Sequence, residues 1–324
     1  MAIFLSGAKK VNGIFANVNG ETKKIISAWV NKDGLPCKVF SSGTKTRFVC
    51  VGNGASFYSL DGETWNAMSG AGGTLYGVTY GNGRFVAVGS NQSFYSLDGE
   101  TWNAMSGLSG ILNKVTYGNG RFVCVGRKGV SYYSLDGETW NAMSGLDTST
   151  EYYDVIYANN KFIAVGAASL LYYSIDGITW LSQSDKYIMY SITYGNGRFV
   201  TVGAVGKCRY SFDGNEWNDG TAMPNHSCRG VVYGNGRFVC GGESGWSHYS
   251  LDGETWNAMS GGNRVIYSIT YCNGRFVAVG YDNTSFYSLD GETWNAMSGL
   301  DTSIPYYDVC ASIDGGYGDL EVAA

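Results

Sequence analysis

The chain has 324 residues, of which 15% are charged and 15% are aromatic, and it contains 48 Gly and 25 Tyr but only 3 Pro. This composition is typical of many short strands joined by tight turns. No segment approaches the roughly 18 consecutive apolar residues of a membrane span, and residues 1–20 lack the apolar core of a signal peptide. The sequence therefore predicts a soluble protein, made in the cytoplasm, that does not insert into membranes.

The net charge of −5 is distributed unevenly along the chain. Residues 1–43 contain six Lys and two acidic residues and so carry +4, whereas residues 44–324 carry −9. An acidic surface repels nucleic acid. We therefore predict no nucleic-acid partner.

The first predicted elements are β-hairpins within residues 1–43. Asn-Gly follows both Val11 and Val18, and Asp33-Gly34 closes a third β-prone segment. Such pairs are typical of hairpin turns because Gly accepts the positive φ that these turns require. Roughly 40 residues scarcely bury a core of their own. We predict that this segment attaches to the rest of the chain, to sister chains or to a larger assembly.

Residues 44–324 contain one eight-residue box seven times. Five copies read YSLDGETW, and two diverged copies, YSIDGITW and YSFDGNEW, begin at Tyr173 and Tyr210. A period of just under 40 residues fits one four-stranded blade of a β-propeller. The box aspartates that mark this period are Asp61, Asp98, Asp136, Asp176, Asp213, Asp252 and Asp290.

Each period contains four β-prone segments, which we label strands A to D. Asn82-Gly83 between strands A and B, and Asp98-Gly99 between strands C and D, both predict two-residue hairpin turns. Representative segments are YSITY at 190–194 for strand A, RFVAVG at 84–89 for B, SFYSLD at 93–98 for C and TWNAM at 101–105 for D.

The last strand of the chain is predicted to close the ring. The first copy of strand B, around Phe48, has no strand A before it, whereas Tyr306–Ala311 (YYDVCA) matches Tyr152–Tyr157 (YYDVIY). Pairing these two ends covers sheet edges that would otherwise be exposed. The predicted fold is an all-β, seven-bladed propeller of four-stranded blades spanning 44–324, closed by a C-terminal strand that completes blade 1, with a small β-hairpin segment at 1–43.

The boxes resemble the Asp-box of sialidase-like and related propellers, with Ser96, Asp98, Gly99, Thr101 and Trp102 at matching positions. This sequence lacks the residue that usually separates Asp from Gly, so its turn must be tighter. A short acceptor beside a turn suits unpaired backbone N–H groups, and the resemblance likewise implies a structural role for the seven box aspartates. The box tryptophans are predicted to pack between blades.

The segment GAKKVNGIFANVNGETKKIISAWVNKDGLPCKVF at 7–40 resembles the VNG-and-lysine repeats of tail and other virion proteins of phages that infect Gram-positive bacteria. This resemblance implies a virion-attached propeller. Residues 1–43 would then bind other virion or tail proteins, and the protein would be made in the host cytoplasm and reside in the phage particle.

No catalytic motif stands out, so we predict a non-enzymatic protein. Catalysis by a sialidase-like propeller would need an arginine cluster, a Tyr with an acidic partner and an acid/base carboxylate in the central pocket. The recurring arginines follow the A–B turns and are interpreted as a repeat feature. A sialidase-like glycoside hydrolase and a purely structural virion protein remain the alternatives, with carboxylates for glycoside hydrolysis to be sought among Glu151, Asp154, Asp185, Glu243 and Asp282.

Cysteine and histidine usage predicts neither a metal nor a cofactor. The eight Cys form no CxxC motif and mostly replace small residues of the repeat, as buried thiols do. The two histidines are His226, in an irregular loop, and His248, which we expect to pack in strand C. The GNG turns lack the helix and the Lys of a phosphate-binding loop.

The two faces of the predicted disc differ in variability. The A–B and C–D turns share one face and are nearly uniform, whereas the D–A and B–C loops share the other and vary. Loops on a rigid scaffold commonly carry recognition, although drift without function would give the same pattern. We predict that this face binds a bacterial surface glycan or protein. The predicted ligand-binding residues are Arg127, Lys128, His226, Glu243, Trp246, Arg264 and Tyr281.

Trp246 is the strongest single candidate on that face. Apart from Trp29, it is the only tryptophan outside the seven boxes. An exposed indole can stack on a sugar or anchor an interface. The alternative is that it plugs the blade locally.

Overall fold

The computed structural model describes residues 46–313, apart from 168–169, 224–225, 244–246, 260–264 and 282–284, and four strands that precede them. These strands form two antiparallel hairpins, in which β1 (Ile14–Val18) pairs with β2 (Glu21–Ile25) and β3 (Ser27–Lys32) pairs with β4 (Leu35–Ser41). The strands flank two of the predicted turns, whose own residues lie outside the described ones.

The chain separates into two compact units, one with Met1–Lys45 and Ile313–Gly316 and the other with Thr46–Ser312 and Tyr317–Ala324. Two short 3-10 turns are described, at Arg127–Gly129 and Ala204–Gly206. Within the described part of the chain, no helix has the length and apolar character needed to cross a bilayer.

The second unit is a seven-bladed β-propeller, as predicted, and each blade is an antiparallel sheet with strand order A-B-C-D. Blade 1 contains β32 (Tyr306–Ile313), β5 (Thr46–Gly52), β6 (Ser56–Ser59) and β7 (Trp65–Ala67); blade 2, β8 (Leu75–Gly81), β9 (Arg84–Gly89), β10 (Ser93–Ser96) and β11 (Asn103–Ala104); blade 3, β12 (Leu112–Gly118), β13 (Arg121–Gly126), β14 (Ser131–Ser134) and β15 (Asn141–Ala142); blade 4, β16 (Tyr152–Ala158), β17 (Lys161–Gly166), β18 (Leu170–Ser174) and β19 (Leu181–Ser184); blade 5, β20 (Met189–Gly195), β21 (Arg198–Gly203), β22 (Cys208–Ser211) and β23 (Asn218–Asp219); blade 6, β24 (Cys228–Gly234), β25 (Arg237–Gly242), β26 (Ser247–Ser250) and β27 (Asn257–Ala258); and blade 7, β28 (Ile266–Cys272), β29 (Arg275–Gly280), β30 (Ser285–Ser288) and β31 (Asn295–Ala296).

The predicted closure of the ring is confirmed, because β32 lies beside β5 as strand A of blade 1. The Asn53 N–H donates to the Pro305 carbonyl over 3.1 Å. The rings of Phe57 and Tyr306 pack edge to face, with centroids 5.8 Å apart. Blade 1 is therefore assembled from the two ends of the propeller sequence.

The A–B turns have the predicted two-residue geometry. In blade 2, Gly81 pairs with Arg84, and the intervening Asn82 and Gly83 have φ of 47° and 77°. Two consecutive positive φ values define a type I′ turn, whose twist matches that of the flanking strands.

The two-residue prediction for the C–D turns is wrong. In blade 2 the pairing of β10 with β11 ends at Tyr95 opposite Asn103, so the connection is longer and strand D is shorter than the predicted 101–105. Side chains within the connection satisfy its backbone donors locally. These donors therefore do not extend the ladder between the strands.

Strand B and the box tryptophan form most of the core of each blade. The B-strand phenylalanines are buried, as Phe85 and Phe122 illustrate with exposed fractions of 2% and 0%. Trp102 is buried against Phe85, and its indole N–H lies 2.8 Å from the Met68 sulfur of the preceding blade. The prediction that box tryptophans pack between blades holds for these described contacts.

Candidate functional site

On the face that carries the A–B and C–D turns, the box carboxylates accept hydrogen bonds from their own turns. In blade 2, one Asp98 oxygen accepts the backbone N–H groups of Glu100 and Thr101, both over 2.8 Å, and the Ser96 hydroxyl over 2.9 Å. The Ser96 hydroxyl oxygen also accepts the Gly99 N–H over 2.7 Å. The same contacts recur at the six other boxes. This oxygen of each box aspartate is therefore engaged within its own turn.

The arginines of that face pair with the next blade. Arg47 at the start of β5 lies 2.7 Å from Glu100 in the C–D turn of blade 2. Equivalent pairs join Arg84 to Glu138, Arg198 to Glu254, Arg237 to Glu292 and Arg275 to Glu63. The arginines are thus a structural feature of the repeat and do not converge on a substrate site.

A cavity of about 250 Å³ lies at the centre of the ring and is lined by strand A of all seven blades. The second residue of each strand A forms what we call the rim ring, near the face of the D–A and B–C loops. Its members are Tyr76, Asn113, Tyr153, Tyr190, Arg229, Tyr267 and Tyr307.

A break in the ladder places the rim-ring residues. In blade 2, Leu75 pairs with Gly89 and Gly77 with Val88, so Tyr76 is the extra residue of a β-bulge, and strand A of blades 3 to 7 shows the same shift. A bulge re-aims its side chain and is frequent beside binding sites. In blades 2 to 7 the rim-ring residue therefore has no partner residue in strand B.

The third residue of each strand A forms a second circle, the inner ring, with members Gly77, Lys114, Asp154, Ser191, Gly230, Ser268 and Asp308. The Lys114 ammonium lies 2.7 Å from the Asp308 carboxylate and so joins blade 3 to blade 1 past Gly77 of blade 2. A Cβ on Gly77 would stand 2.8 Å from the Lys114 Cα, so only glycine permits this approach of the strands.

The inner-ring carboxylates also bridge neighbouring blades. Asp308 accepts the Val78 N–H of blade 2 over 2.9 Å and the Ser268 hydroxyl of blade 7 over 2.7 Å. Asp154 of blade 4 accepts the Ile192 N–H of blade 5 over 3.0 Å. An acceptor at this position therefore bonds the fourth residue of the next strand A.

Burial and neighbouring charges shift the pKa values of the inner ring. Burial opposes the charge on Lys114, but the carboxylates of Asp308 and Asp154 outweigh it and hold the pKa of Lys114 above its ordinary value. Burial raises the pKa of Asp154, although Lys114 and the hydrogen bonds from Ile192 and Ser191 favour the ionised form. Lys114 is therefore positively charged at neutral pH.

The rim ring contains two tyrosine clusters. Tyr307 lies between Tyr76 and Tyr267, with ring centroids 5.1 and 5.7 Å away. In the second cluster, Tyr153 and Tyr190 are 5.1 Å apart.

Arg229 completes the second cluster. Its guanidinium lies 4.3 Å from the centre of the Tyr190 ring, and it also forms an ion pair of 2.5 Å with Glu243. Arg229 is the one arginine among the described residues that line the cavity. The pocket therefore differs from the arginine cluster that sialidase-like catalysis would need.

Of the ligand-binding residues predicted from sequence, Glu243 and Tyr281 lie beside members of the rim ring. Arg127 pairs with Glu151 over 2.8 Å, and Lys128 is exposed beside it. Glu243 pairs with Arg229, and Tyr281, 45% exposed, lies near Tyr307. Burial lowers the pKa of His248, and the nearby, half-buried His226 lowers it further. Trp246 and Arg264 lie outside the described residues.

The other sequence candidates are mostly engaged. Asp185 pairs with Arg209 over 2.6 Å, both side chains being buried, and Asp282 lies outside the described residues. His248 is buried in strand C, as expected. Burial raises the pKa of the Cys208 and Cys272 thiols to about 12 and about 11. No group of His, Cys, Asp and Glu side chains in the described part of the chain is arranged to hold a metal ion.

Sequence reasoning missed the two rings in strand A. Aligning the seven strands would have shown Lys114 as a basic residue where sister strands have Gly, Asp or Ser, and Arg229 where they have Tyr or Asn. It also missed strain in the B–C loops, where Lys128 and Val205 occupy left-handed backbone with φ of 53° and 54°. Such a φ is unusual for a β-branched residue, and Val205 is 56% exposed.

No protein-family model and no curated protein matches the chain. Solved structures of similar fold include YCF48 bound to D1 peptide (15% identity, TM-score 0.55, 71% of this chain and 88% of that chain) and YCF48 from Cyanidioschyzon merolae (13%, 0.57, 74% and 94%). The WD40 β-propeller domain of Doa1 is also similar (14%, 0.58, 72% and 84%). At these identities the likeness shows the fold alone: the chain is a repeat β-propeller.

Proposed function

We propose that the protein is a non-enzymatic recognition module that presents the face of its D–A and B–C loops to a ligand. The observation that carries this proposal is the rim ring, a circle of five tyrosines, one asparagine and one arginine that lines the cavity on that face. Ligand sites are typically concave and lined by aromatic side chains with a few polar groups. On the opposite face, the box carboxylates accept hydrogen bonds from their own turns.

The finer part of the proposal concerns where the module works. We propose that it belongs to a phage tail or virion, attaches to other virion proteins through residues 1–43, and binds a glycan or protein of the bacterial surface. Support comes from the VNG-and-lysine pattern of that segment and its charge of +4 against −9 for the rest of the chain. One solved propeller of similar fold was captured with a peptide, which supports a binding role for this architecture.

Attachment of the labelled full-length chain to bacterial cells and to glycan and peptide arrays tests the binding role. Tyr76→Ala with Tyr307→Ala should abolish attachment at a temperature well below the melting transition. The matched control is Leu97→Ser with Leu135→Ser, which changes two exposed residues of the C–D turns on the opposite face. Attachment that survives the tyrosine changes and disappears in the control would place the ligand on the wrong face for this proposal.

The same preparation tests the remaining parts. Trp246→Ala with Tyr281→Ala tests the loop residues predicted from sequence, and fluorogenic sialosides and other glycosides test catalysis, with no turnover expected. For the virion assignment, the protein should copurify with phage particles, and deletion of residues 1–43 should remove it from them.

A further inference from the structure

The inner ring holds two carboxylates but only one ammonium. Lys114 forms an ion pair with Asp308, whose side chain is 2% exposed. Asp154 instead accepts hydrogen bonds from the Ser191 hydroxyl over 2.9 Å and from the backbone N–H groups of Ile192 and Val155. Within the described part of the chain, no cation lies within ion-pair distance of the Asp154 carboxylate. Lys114 therefore contacts only one of the two carboxylates, and it acts on Asp154 from beyond ion-pair distance.

Burial makes this imbalance costly. Asp154 is 6% exposed, and a buried carboxylate with no cation in direct contact is unfavourable even when it is hydrogen-bonded. The raised pKa of Asp154 reflects the same cost, with burial as its first cause. A cation brought into the cavity would relieve it.

The rim beside Asp154 already accommodates a cation on an aromatic face. Arg229 stands over the Tyr190 ring at 4.3 Å, within the distance at which the ring attracts a positive charge. Glu243 neutralises this arginine. Tyr153, adjacent to Asp154 in the chain, packs against Tyr190 and also lines the cavity. Aromatic rings above a carboxylate suit a ligand with an apolar stem and a cationic end.

We infer that the cavity takes one lysine or arginine side chain of a protein ligand, with its cationic group at Asp154 and its stem against Tyr153 and Tyr190. This inference rests on the proposed binding function and names the ligand chemistry of the same site. The volume of about 250 Å³ lies below the roughly 300–1,000 Å³ of sites for drug-sized ligands, which fits a single side chain. The charge of −9 on residues 44–324 would also steer cations towards the propeller.

A ligand without positive charge fits these features less well. An anionic group would meet two carboxylates, and a neutral sugar would leave Asp154 without a cation in direct contact. Bacterial surface proteins with exposed lysine or arginine are therefore favoured over glycans.

Isothermal titration calorimetry of the full-length protein tests the inference with a capped Ala-Lys-Ala peptide as the probe. A capped Ala-norleucine-Ala peptide and the Nε-acetylated lysine peptide keep the stem but lack the charge. Both are expected to bind at least about tenfold more weakly, because the buried carboxylate would stay unpaired. An arginine peptide should bind like the lysine peptide.

Variants locate the contact. Asp154→Ser places in blade 4 the residue found at this position in blades 5 and 7, so the fold has a precedent for it, and it should weaken binding of the lysine peptide at least about tenfold. Tyr153→Leu should weaken it several-fold. The matched control Asp147→Ser removes a carboxylate from the D–A loop before the same blade, outside the cavity lining, and should leave binding unchanged.

The outcomes separate this inference from the function on which it rests. Absent or charge-independent peptide binding, or binding that survives Asp154→Ser, overturns the inference. If neutral glycans bind through Tyr76 and Tyr307 instead, the inference fails while the recognition role stands. If neither peptides, glycans nor cells bind, both fail.

Discussion

The C–D turns and the innermost strands of the propeller differ in where their side chains form hydrogen bonds. In the C–D turns, seven nearly identical boxes repeat one set of hydrogen bonds, and each turn satisfies its own backbone donors. In strand A, the same register position holds Lys, Asp, Ser or Gly, and these residues bond to neighbouring blades. The boxes can repeat because each turn satisfies its own backbone donors, whereas the central ion pair needs an ammonium in one blade and a carboxylate in another.

This contrast indicates where a function can reside. A box aspartate can be replaced only by a residue that satisfies the same backbone donors, so its presence is explained by the structure of the turn. A rim-ring residue of strand A, or an inner-ring residue other than Gly77, lines a cavity shared by all seven blades, so its identity depends on its neighbours there and on any ligand. Five changes test the distinction, from the largest expected effect to the smallest.

The largest effect is expected from removing the strand that closes the ring. Deletion of Tyr306–Ala324 exposes the edge of β5 and removes Asp308 from the inner ring. The loss should exceed about 5 kcal/mol, comparable with the whole stability of an ordinary domain. Thermal and urea unfolding followed by circular dichroism should show the cooperative transition weakened or lost. Deletion of 314–324 alone retains strand β32 and should melt near the intact chain; equal melting of both truncations would contradict the closure.

Breaking the central ion pair should cost less. Lys114→Met leaves the buried Asp308 without its counter-charge, and the free energy of unfolding should fall by about 3 to 5 kcal/mol, the usual cost of removing one partner of a buried pair. The control Lys186→Met breaks an exposed pair with Asp219 and should cost at most about 1 kcal/mol. Adding Asp308→Ser to Lys114→Met should recover part of the loss. An equal effect of the two lysine changes in urea denaturation would argue against a special role for the inner ring.

A single box should matter less again. Asp98→Ala leaves the N–H groups of Glu100 and Thr101 without their acceptor, which should lower the free energy of unfolding by about 1 to 3 kcal/mol. Binding should be retained because this turn lies on the opposite face from the rim ring. Unchanged stability together with lost binding would make the aspartate a ligand contact.

Acid titration examines the same turns together. Backbone hydrogen bonds hold the pKa of Asp136, Asp213 and Asp290 at about 2, below their ordinary value of 3.8. A lowered folded-state pKa means that the stabilisation is present above about pH 4 and is lost as the pH falls towards about 2. Asp136→Asn should reduce the slope of stability against pH in that window, by a small amount since the carboxylate is exposed to solvent.

The smallest effect is expected in the variable loops. Val205 occupies left-handed backbone, and Val205→Asn should raise the free energy of unfolding by about 1 kcal/mol because Asn tolerates this conformation. Ala204→Asn, at the neighbouring position without a positive φ, should bring no gain. A stabilised variant that loses attachment would show that the strained loop serves binding.

Much of the fold could be predicted because its determinants are local. The Asn82-Gly83 turn requires positive φ at both residues, and the spacing of the box aspartates reports the length of a blade. The match of YYDVCA to YYDVIY placed the last strand correctly. The C–D turn was the local exception, since Asp98-Gly99 matched a two-residue turn while the Ser96 and Asp98 side chains captured the backbone donors instead.

The sequence by itself thus determined the number of blades, their strand order, the closure and the face on which variation is concentrated. Only the tertiary structure paired Lys114 with Asp308, 194 residues away, and placed Tyr76 beside Tyr307. Periodicity reports what each blade shares, because every blade must solve the same folding problem. Contacts at the centre join side chains that are far apart in the chain and belong to different copies, so their pairing arises only when the ring closes.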